Sequence, residues 1–218
     1  MSSRIWCALA VLAALPTGTW VAASPEPAPP VIDAAAAAGL RPQVLRHALR
    51  ARARAVAAGL TASPVLTVID YSLPSRVHRL WVLDVGAGRV LTREFVAHGR
   101  NSGDDVPTRF SNRSGSLQSS LGLFLTGPVY QGKHGLSLRL RGLDPRLNSR
   151  AEQRAIVVHG ADYVSERTIA ALGRLGRSHG CPALDPAVTR RVIELIRDGT
   201  ALFAYHPSAI RESPLATR

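Results

Sequence analysis

Cysteine, lysine, methionine and aromatic side chains are all scarce in this chain. Of its 218 residues two are cysteine, one is methionine and 5% are aromatic. Lys133 is the one lysine. No apolar run approaches the ~20 residues that a membrane-spanning helix needs, so a transmembrane anchor is not expected. No internal repeat is present. Few aromatics, scattered arginines and no recognisable nucleic-acid motif argue against a nucleic-acid partner. No further cluster of ligating residues supports a metal centre, and no organic cofactor is expected.

What the chain has instead is arginine. Its formal net charge is +12, which a composition bias alone could produce. The functional reading is attraction to an acidic polymer. The N-terminus reads as a secretory signal over residues 1–23. It has Arg4 in a short n-region, an apolar stretch from Ile5 to Leu15, and small residues at Val21-Ala22-Ala23. Export places the protein in the periplasm or cell envelope, where a carboxylate-bearing wall polymer is the fitting acidic partner. Removal of the signal would take Cys7 with it and leave Cys181 alone. A solitary thiol in an oxidising compartment calls for an explanation.

Residues 24–30 hold four prolines and read as a stiff linker. Residues 31–62 read as a helical segment that Gly39 and Pro42 split in two, the second helix running from Pro42 to about Ala58 on an apolar stripe of Leu45, Leu49 and Val56. Residues 63–210 read as one mainly β domain. Strands are expected at Val65–Ile69, Arg79–Val85, Arg89–Val96, Leu121–Thr126, Leu136–Leu140, Ala155–His159 and Ala201–Tyr205. A short helical stretch is expected at Glu166–Leu172, and a peripheral C-terminal helix behind an Asp185 cap and Pro186. The polar stretch from His98 to Ser120 is long for a plain connection, and such loops are often functional.

Ile156-Val157-Val158 delivers His159 and Gly160 to a strand end, and 22 residues later comes Ser178-His179-Gly180-Cys181-Pro182. A strand, a helix and a return loop can bring thiol and imidazole together at that spacing. A free thiol titrates near 8.5 and becomes a far better nucleophile beside an imidazole that takes its proton. Gly180 and Pro182 make the turn tight, so that N–H groups at Cys181 and just before it can converge as an oxyanion hole. No Asp is placed to complete a triad; a main-chain carbonyl, that of Gly160, is the candidate to orient His159.

His159-Gly160 and Ser178-His179-Gly180-Cys181 resemble the catalytic signature of the YkuD-type L,D-transpeptidases of bacterial cell walls. Further blocks resemble the murein L,D-transpeptidase catalytic domain family: Val96 to Gly103, Phe110-Ser111-Asn112, Gly115-Ser116, Ser119 to Gly122, Tyr130 to Gly135 and Gly176-Arg177-Ser178. The similarity extends over roughly Val65 to Ala204. It implies a mixed β-sandwich-like catalytic fold and a cysteine acyl-enzyme acting on peptidoglycan stem peptides. By motif, Cys181 is the nucleophile and His159 the base, with Ser178, His179 and Gly180 shaping the loop. One departure stands out: many relatives carry arginine two residues after the cysteine, where this chain has Ala183, and Arg177 is the candidate replacement.

Plainer readings stay open. Cys181 could be an inert thiol, His159 a satisfied core histidine, and His179 a brace for its loop. His98 and His134, each before a glycine, could compete as the base or serve loop architecture. Asn112, Ser116, Ser119, Tyr130 and Tyr163 could line a peptide groove or satisfy turns. His159, His179 and Cys181 could bind zinc. The activity expected is transpeptidation through a thioester on Cys181. The alternatives are an L,D-carboxypeptidase that passes the same thioester to water, and a wall-binding module without catalysis.

Overall fold

In a computed structural model the structure describes residues 29–210, so the expected signal segment and residues 24–28 lie outside the described residues. Helices α1 (Pro29–Ala37) and α2 (Pro42–Ala57) precede strands β1 (Val65–Asp70), β2 (Leu80–Asp84) and β3 (Arg89–Glu94). After the long loop come β4 (Gly122–Gly132), β5 (Gly135–Gly142), β6 (Val157–Gly160), α3 (Glu166–Leu172) and β7 (Ala183–Leu184). The chain closes with α4 (Pro186–Ile196), β8 (Ala201–Tyr205) and the short α5 (Pro207–Ile210). The strands form one sheet in the order β3-β2-β1-β8-β4-β5-β6-β7. Pairs β1–β8 and β6–β7 are parallel and the rest antiparallel. The fold is therefore mainly β, with helices at the N-terminus and a helix late in the chain.

Strand alternation divides the core in two. Leu80, Val82, Leu202 and Ala204 face α4, meeting Val192, Ile193 and Ile196. Trp81, Leu83, Ala201 and Phe203 face α1 and α2, meeting Val31, Leu40, Leu45 and Leu49. Covered on both faces, these strands read as almost unbroken apolar runs. Each fully buried aliphatic side chain contributes about 1.5–3 kcal/mol. Trp81 also donates its indole N–H to the Ala38 carbonyl at 2.9 Å, fastening α1 to the sheet. Arg41, at the cap of α2, bonds the buried Asp70 carboxylate at 2.7 Å and so ties that helix to the end of β1.

Local signals set the helix ends. Asp185 accepts the Ala187 N–H at 2.8 Å with Pro186 in the first turn. Ser165 caps α3, and Gly173 ends it at φ +70°. Several features differ from the expectation, among them β6, which begins at Val157 because Ala155 sits in a left-handed turn at φ +52°, and β3, which ends at Glu94. Val56 is 39% exposed, because α2 buries Val44, Leu45, Ala48, Leu49, Ala51 and Ala55 instead. Strand β4 runs six residues past Thr126, through Gly127-Pro128 and a register shift, to form a long hairpin with β5. The two-residue β7 was not foreseen.

Among the described residues no helix is long and apolar enough to cross a membrane. The 98–120 loop lacks strands but is pinned by isolated bridges, Gly99 with Ser178 and Gly103 with Pro107.

Candidate active site

β6 and β7 build the site. His159 pairs with Ala183 in parallel register, so the strand leaving the Cys181 loop runs beside the end of β6. Two residues back along the same register, Cys181 lies against Val157, whose backbone N–H favours the thiolate. At 3.3 Å per residue, Cys181 and His159 are offset by roughly 7 Å along the strands.

His159 is buried, and its Nδ1 meets the Gly160 carbonyl at 2.8 Å. A carbonyl only accepts, so Nδ1 carries the proton and Nε2 is the free acceptor. Burial holds the ring's pKa below its usual value; the Gly160 bond opposes this, and nearby His134 and Lys133 add to it. The ring is thus neutral and basic at Nε2. The His134 ring stacks on it, with centroids 4.5 Å apart. Gly160 is required beside it, since a Cβ there would lie 2.9 Å from Thr189 Oγ1.

Cys181 is half-buried, and Sγ donates to the Ala155 carbonyl at 3.7 Å. Burial pushes the thiol's pKa up, against the Val157 N–H, Arg154 and Lys133, which lower it. Among the described residues no hydrogen bond joins Sγ to His159, so this is a resting thiol, protonated and turned toward Ala155. Ala155 itself holds φ +52°, a sparsely occupied conformation of the kind that concentrates at working sites.

The loop before Cys181 is fixed from within. Ser178 Oγ donates to the Cys181 carbonyl at 2.6 Å and accepts the Gly180 N–H at 3.0 Å. Gly180 takes φ +122°, and a Cβ on it would meet the Gln118 carbonyl at 2.8 Å. With the Gly180 N–H committed, those of His179 and Cys181 bond no protein acceptor among the described residues and are the available oxyanion donors. The His179 side chain is exposed.

Beneath the loop lies a buried polar floor that was not foreseen. Arg79, with no exposed surface, donates to the Val96 and Leu73 carbonyls at 2.8–3.0 Å and to His98 Nδ1 at 2.7 Å. The Tyr71 ring lies 5.2 Å from the guanidinium. Arginine cannot accept, so His98 Nδ1 is the acceptor and Nε2–H donates to Gly103. Burial and Arg79 hold the His98 pKa down at about 3. His98 is therefore a permanently neutral brace, and its carbonyl accepts the Ser178 N–H at 2.9 Å. Ser119 is buried; it accepts the Gly99 N–H and donates to the Gly180 carbonyl at 3.4 Å.

The remaining candidates separate. Tyr163 lines a groove of about 550 Å³ with Lys133, His134, Gly160, Asp162 and Arg190, next in the chain to His159 at Gly160. Burial, then Cys181, raises its pKa to about 12. Asn112 lines a second groove of about 590 Å³ with Arg109, Arg113 and Arg146. Its side chain bonds Ser149 and the Arg150 N–H, tying two loops together. Ser116 accepts from Arg154. Tyr130 stands on β4, two strands from β6, with Arg139 over its ring at 4.5 Å. Arg177 reaches the Gly103 carbonyl and Asp104, not the thiol. Ala183 is fully buried between β6 and Ala97. The cations acting on the sulfur are Arg154 and Lys133; Arg154 carries no signal in a chain so rich in arginine, whereas Lys133 is its one lysine. Among the described residues no three His, Cys, Asp or Glu side chains converge as a metal site.

Residues 36–205 match the L,D-transpeptidase catalytic domain family. Among solved structures, an L,D-transpeptidase from Mycobacterium smegmatis is similar at 15% identity and TM-score 0.42, over 66% of this chain and 59% of that one. One from Mycobacterium tuberculosis is 17% identical at TM-score 0.39, over 66% and 58%. The helical cell shape determining protein of Campylobacter jejuni is 11% identical at TM-score 0.42, over 75% and 56%. The chain thus spans less than two thirds of the length of each. No curated protein matches.

Proposed function

The chain belongs to the L,D-transpeptidase catalytic domain family, and from that premise we propose that it is an exported cysteine acyltransferase acting on peptidoglycan stem peptides. The observation that carries the chemistry is the tautomer of His159. With Nδ1–H held by the Gly160 carbonyl, Nε2 is an unprotonated base on the strand beside the one that leaves Cys181.

Catalysis starts when the thiol turns from the Ala155 carbonyl and gives its proton to Nε2. The thiolate attacks the carbonyl carbon of the third stem residue, and the developing oxyanion takes the N–H groups of His179 and Cys181. The C–N bond to the terminal D-alanine breaks as Nε2–H returns its proton to the leaving amine. A thioester on Cys181 remains. An acceptor amine then loses a proton to Nε2, forms the new amide bond and expels the thiolate. The groove lined by Gly160 and Tyr163 opens beside the base and is the fitting approach for that amine. Asn112, Ser116 and Ser119 serve the loop that covers Gly180. Residues 63–210 form the catalytic domain, with helices 31–62 as its support. Exported by residues 1–23 to the periplasm or envelope, the arginine-rich protein would be attracted to wall carboxylates.

The test is incubation of the purified protein and its Cys181→Ala variant with tetrapeptide muropeptides, followed by mass spectrometry. Loss of D-alanine with crosslinked dimers, abolished in the variant, is the expected result. Free tripeptide without dimers would make the protein an L,D-carboxypeptidase. Unchanged muropeptides and no adduct on Cys181 after carbapenem exposure would overturn catalysis and favour a wall-binding role.

A further inference from the structure

We propose that Arg154 is the fixed positive charge that stabilises the Cys181 thiolate while its fork locks the 111–120 loop against the nucleophile turn. The inference rests on Cys181 being the nucleophile, as read above.

The first ground is place. Arg154 lies in the turn that leads into β6, and the next residue, Ala155, supplies the carbonyl that the resting thiol faces. Its Nη2 would sit 3.2 Å from a Cβ placed on Gly180, so the guanidinium lies against the residue just before Cys181.

The second ground is an uncompensated charge. Arg154 Nη1 donates to the Ser111 carbonyl at 2.6 Å and to Ser120 Oγ. Nη2 donates to the Gln118 carbonyl at 2.6 Å and Ser116 Oγ at 3.2 Å. All four acceptors are neutral, and among the described residues no carboxylate pairs with it. Its Nη donors are satisfied by neutral oxygens while its full positive charge remains. Arg177 is the opposite case, because Asp104 neutralises it at 2.8 Å.

The third ground is burial. Arg154 is half-buried and loses some preference for its charged form on that account, while the Cys181 thiolate restores part of it. A charge taken out of water is screened less and acts further. Lys133, the other cation felt by the sulfur, is exposed at the hairpin tip. Tyr71 and Tyr163 also feel the sulfur, but burial raises both to about 12 and keeps them neutral over the working range. Arg154 thus acts through Cys181 as a positioning residue, by its field and through the loop it holds.

The experiment is the pH dependence of Cys181 alkylation by iodoacetamide from pH 5 to 10, read by peptide mass spectrometry on the folded full chain. Arg154→Gln is expected to raise the apparent thiol pKa by about one unit, slowing alkylation at neutral pH about tenfold. Arg154→Lys keeps the charge and loses the fork, so its midpoint stays near the parent's while hydrogen exchange in 111–120 speeds up. A parental midpoint in Arg154→Gln overturns the proposal, and so does an equal shift in both variants. If the Gln variant does not fold, Arg154→Lys decides alone: a midpoint raised by a unit overturns the proposal, and a retained one supports it. The assay needs no wall substrate. A shifted Arg154→Gln in a protein that leaves muropeptides untouched would sink the transpeptidase reading and keep the charge assignment.

Discussion

Acid is expected to destabilise this protein from under the Cys181 loop, through His98. Its folded pKa of about 3 lies below the ordinary value of 6.5. Between those values the unfolded chain binds a proton that the folded chain refuses, so stability falls as pH drops through 6.5 toward 3. The slope is about 1.4 kcal/mol per pH unit, and the whole span is worth roughly 4–5 kcal/mol. Against a typical total of ~5–15 kcal/mol that is decisive. The cause is explicit: Arg79 Nη2 donates into Nδ1 at 2.7 Å, and a proton on Nδ1 would set two donors face to face in a site without water access. His47, His78, His159 and His206 also have lowered values and add the same sign. The clean measurement is therefore a difference. Urea unfolding of the parent and of His98→Asn, whose amide oxygen can accept from Arg79, is compared at pH 7, 6, 5 and 4. The variant is weaker at pH 7 through lost ring packing, and the gap is expected to close by about 1.4 kcal/mol per unit on acidification. Parallel curves would refute the reasoning.

Gly180→Ala meets both a left-handed φ and the Gln118 carbonyl. It is expected to cost about 1–3 kcal/mol in urea unfolding, and intact-mass kinetics with a carbapenem should slow at least tenfold, to order of magnitude, for a misplaced nucleophile. Trp81→Ala empties a fully buried site on the helix-covered face. It is expected to cost about 3–5 kcal/mol by denaturant midpoint, while the pH midpoint of Cys181 alkylation in the folded protein stays put. His134→Ala removes a stacked ring that helps hold the His159 pKa down. The base pKa should then rise, and the acid limb of the acylation pH profile should move to higher pH; a shift the other way would contradict the stacking account.

Strong local patterns made much of this molecule readable in the sequence. The span Ala201–Tyr205 for β8 and Glu166–Leu172 for α3 agree with the structure, because an unbroken apolar run and a serine cap with a closing glycine each signal locally. The same holds for the Asp185 cap of α4. Gly127-Pro128 carries a strand-end signal, yet the register shift there lets the β4 ladder resume beyond Thr126. β7 is two residues long and owes its existence to β6 beside it. Val56 was misplaced because α2 buries alanines, which mark a face only faintly. In the site, the bond between His159 Nδ1 and the Gly160 carbonyl is legible, for the strand end offers few other acceptors. The settings of Arg79 and Arg154 are not, since both depend on carbonyls gathered from distant loops.

The sheet order has a consequence for when the ladder closes. β8 lies between β1 and β4, so the last strand of the sheet to be synthesised is its keystone. A chain halted before Ala201 leaves β1 and β4 without their shared neighbour, and the two parts of the sheet then meet through α4 and the Ala97–Ala183 and Gly99–Ser178 bridges rather than through a continuous ladder. The eight-stranded ladder becomes continuous only when that final strand enters its middle.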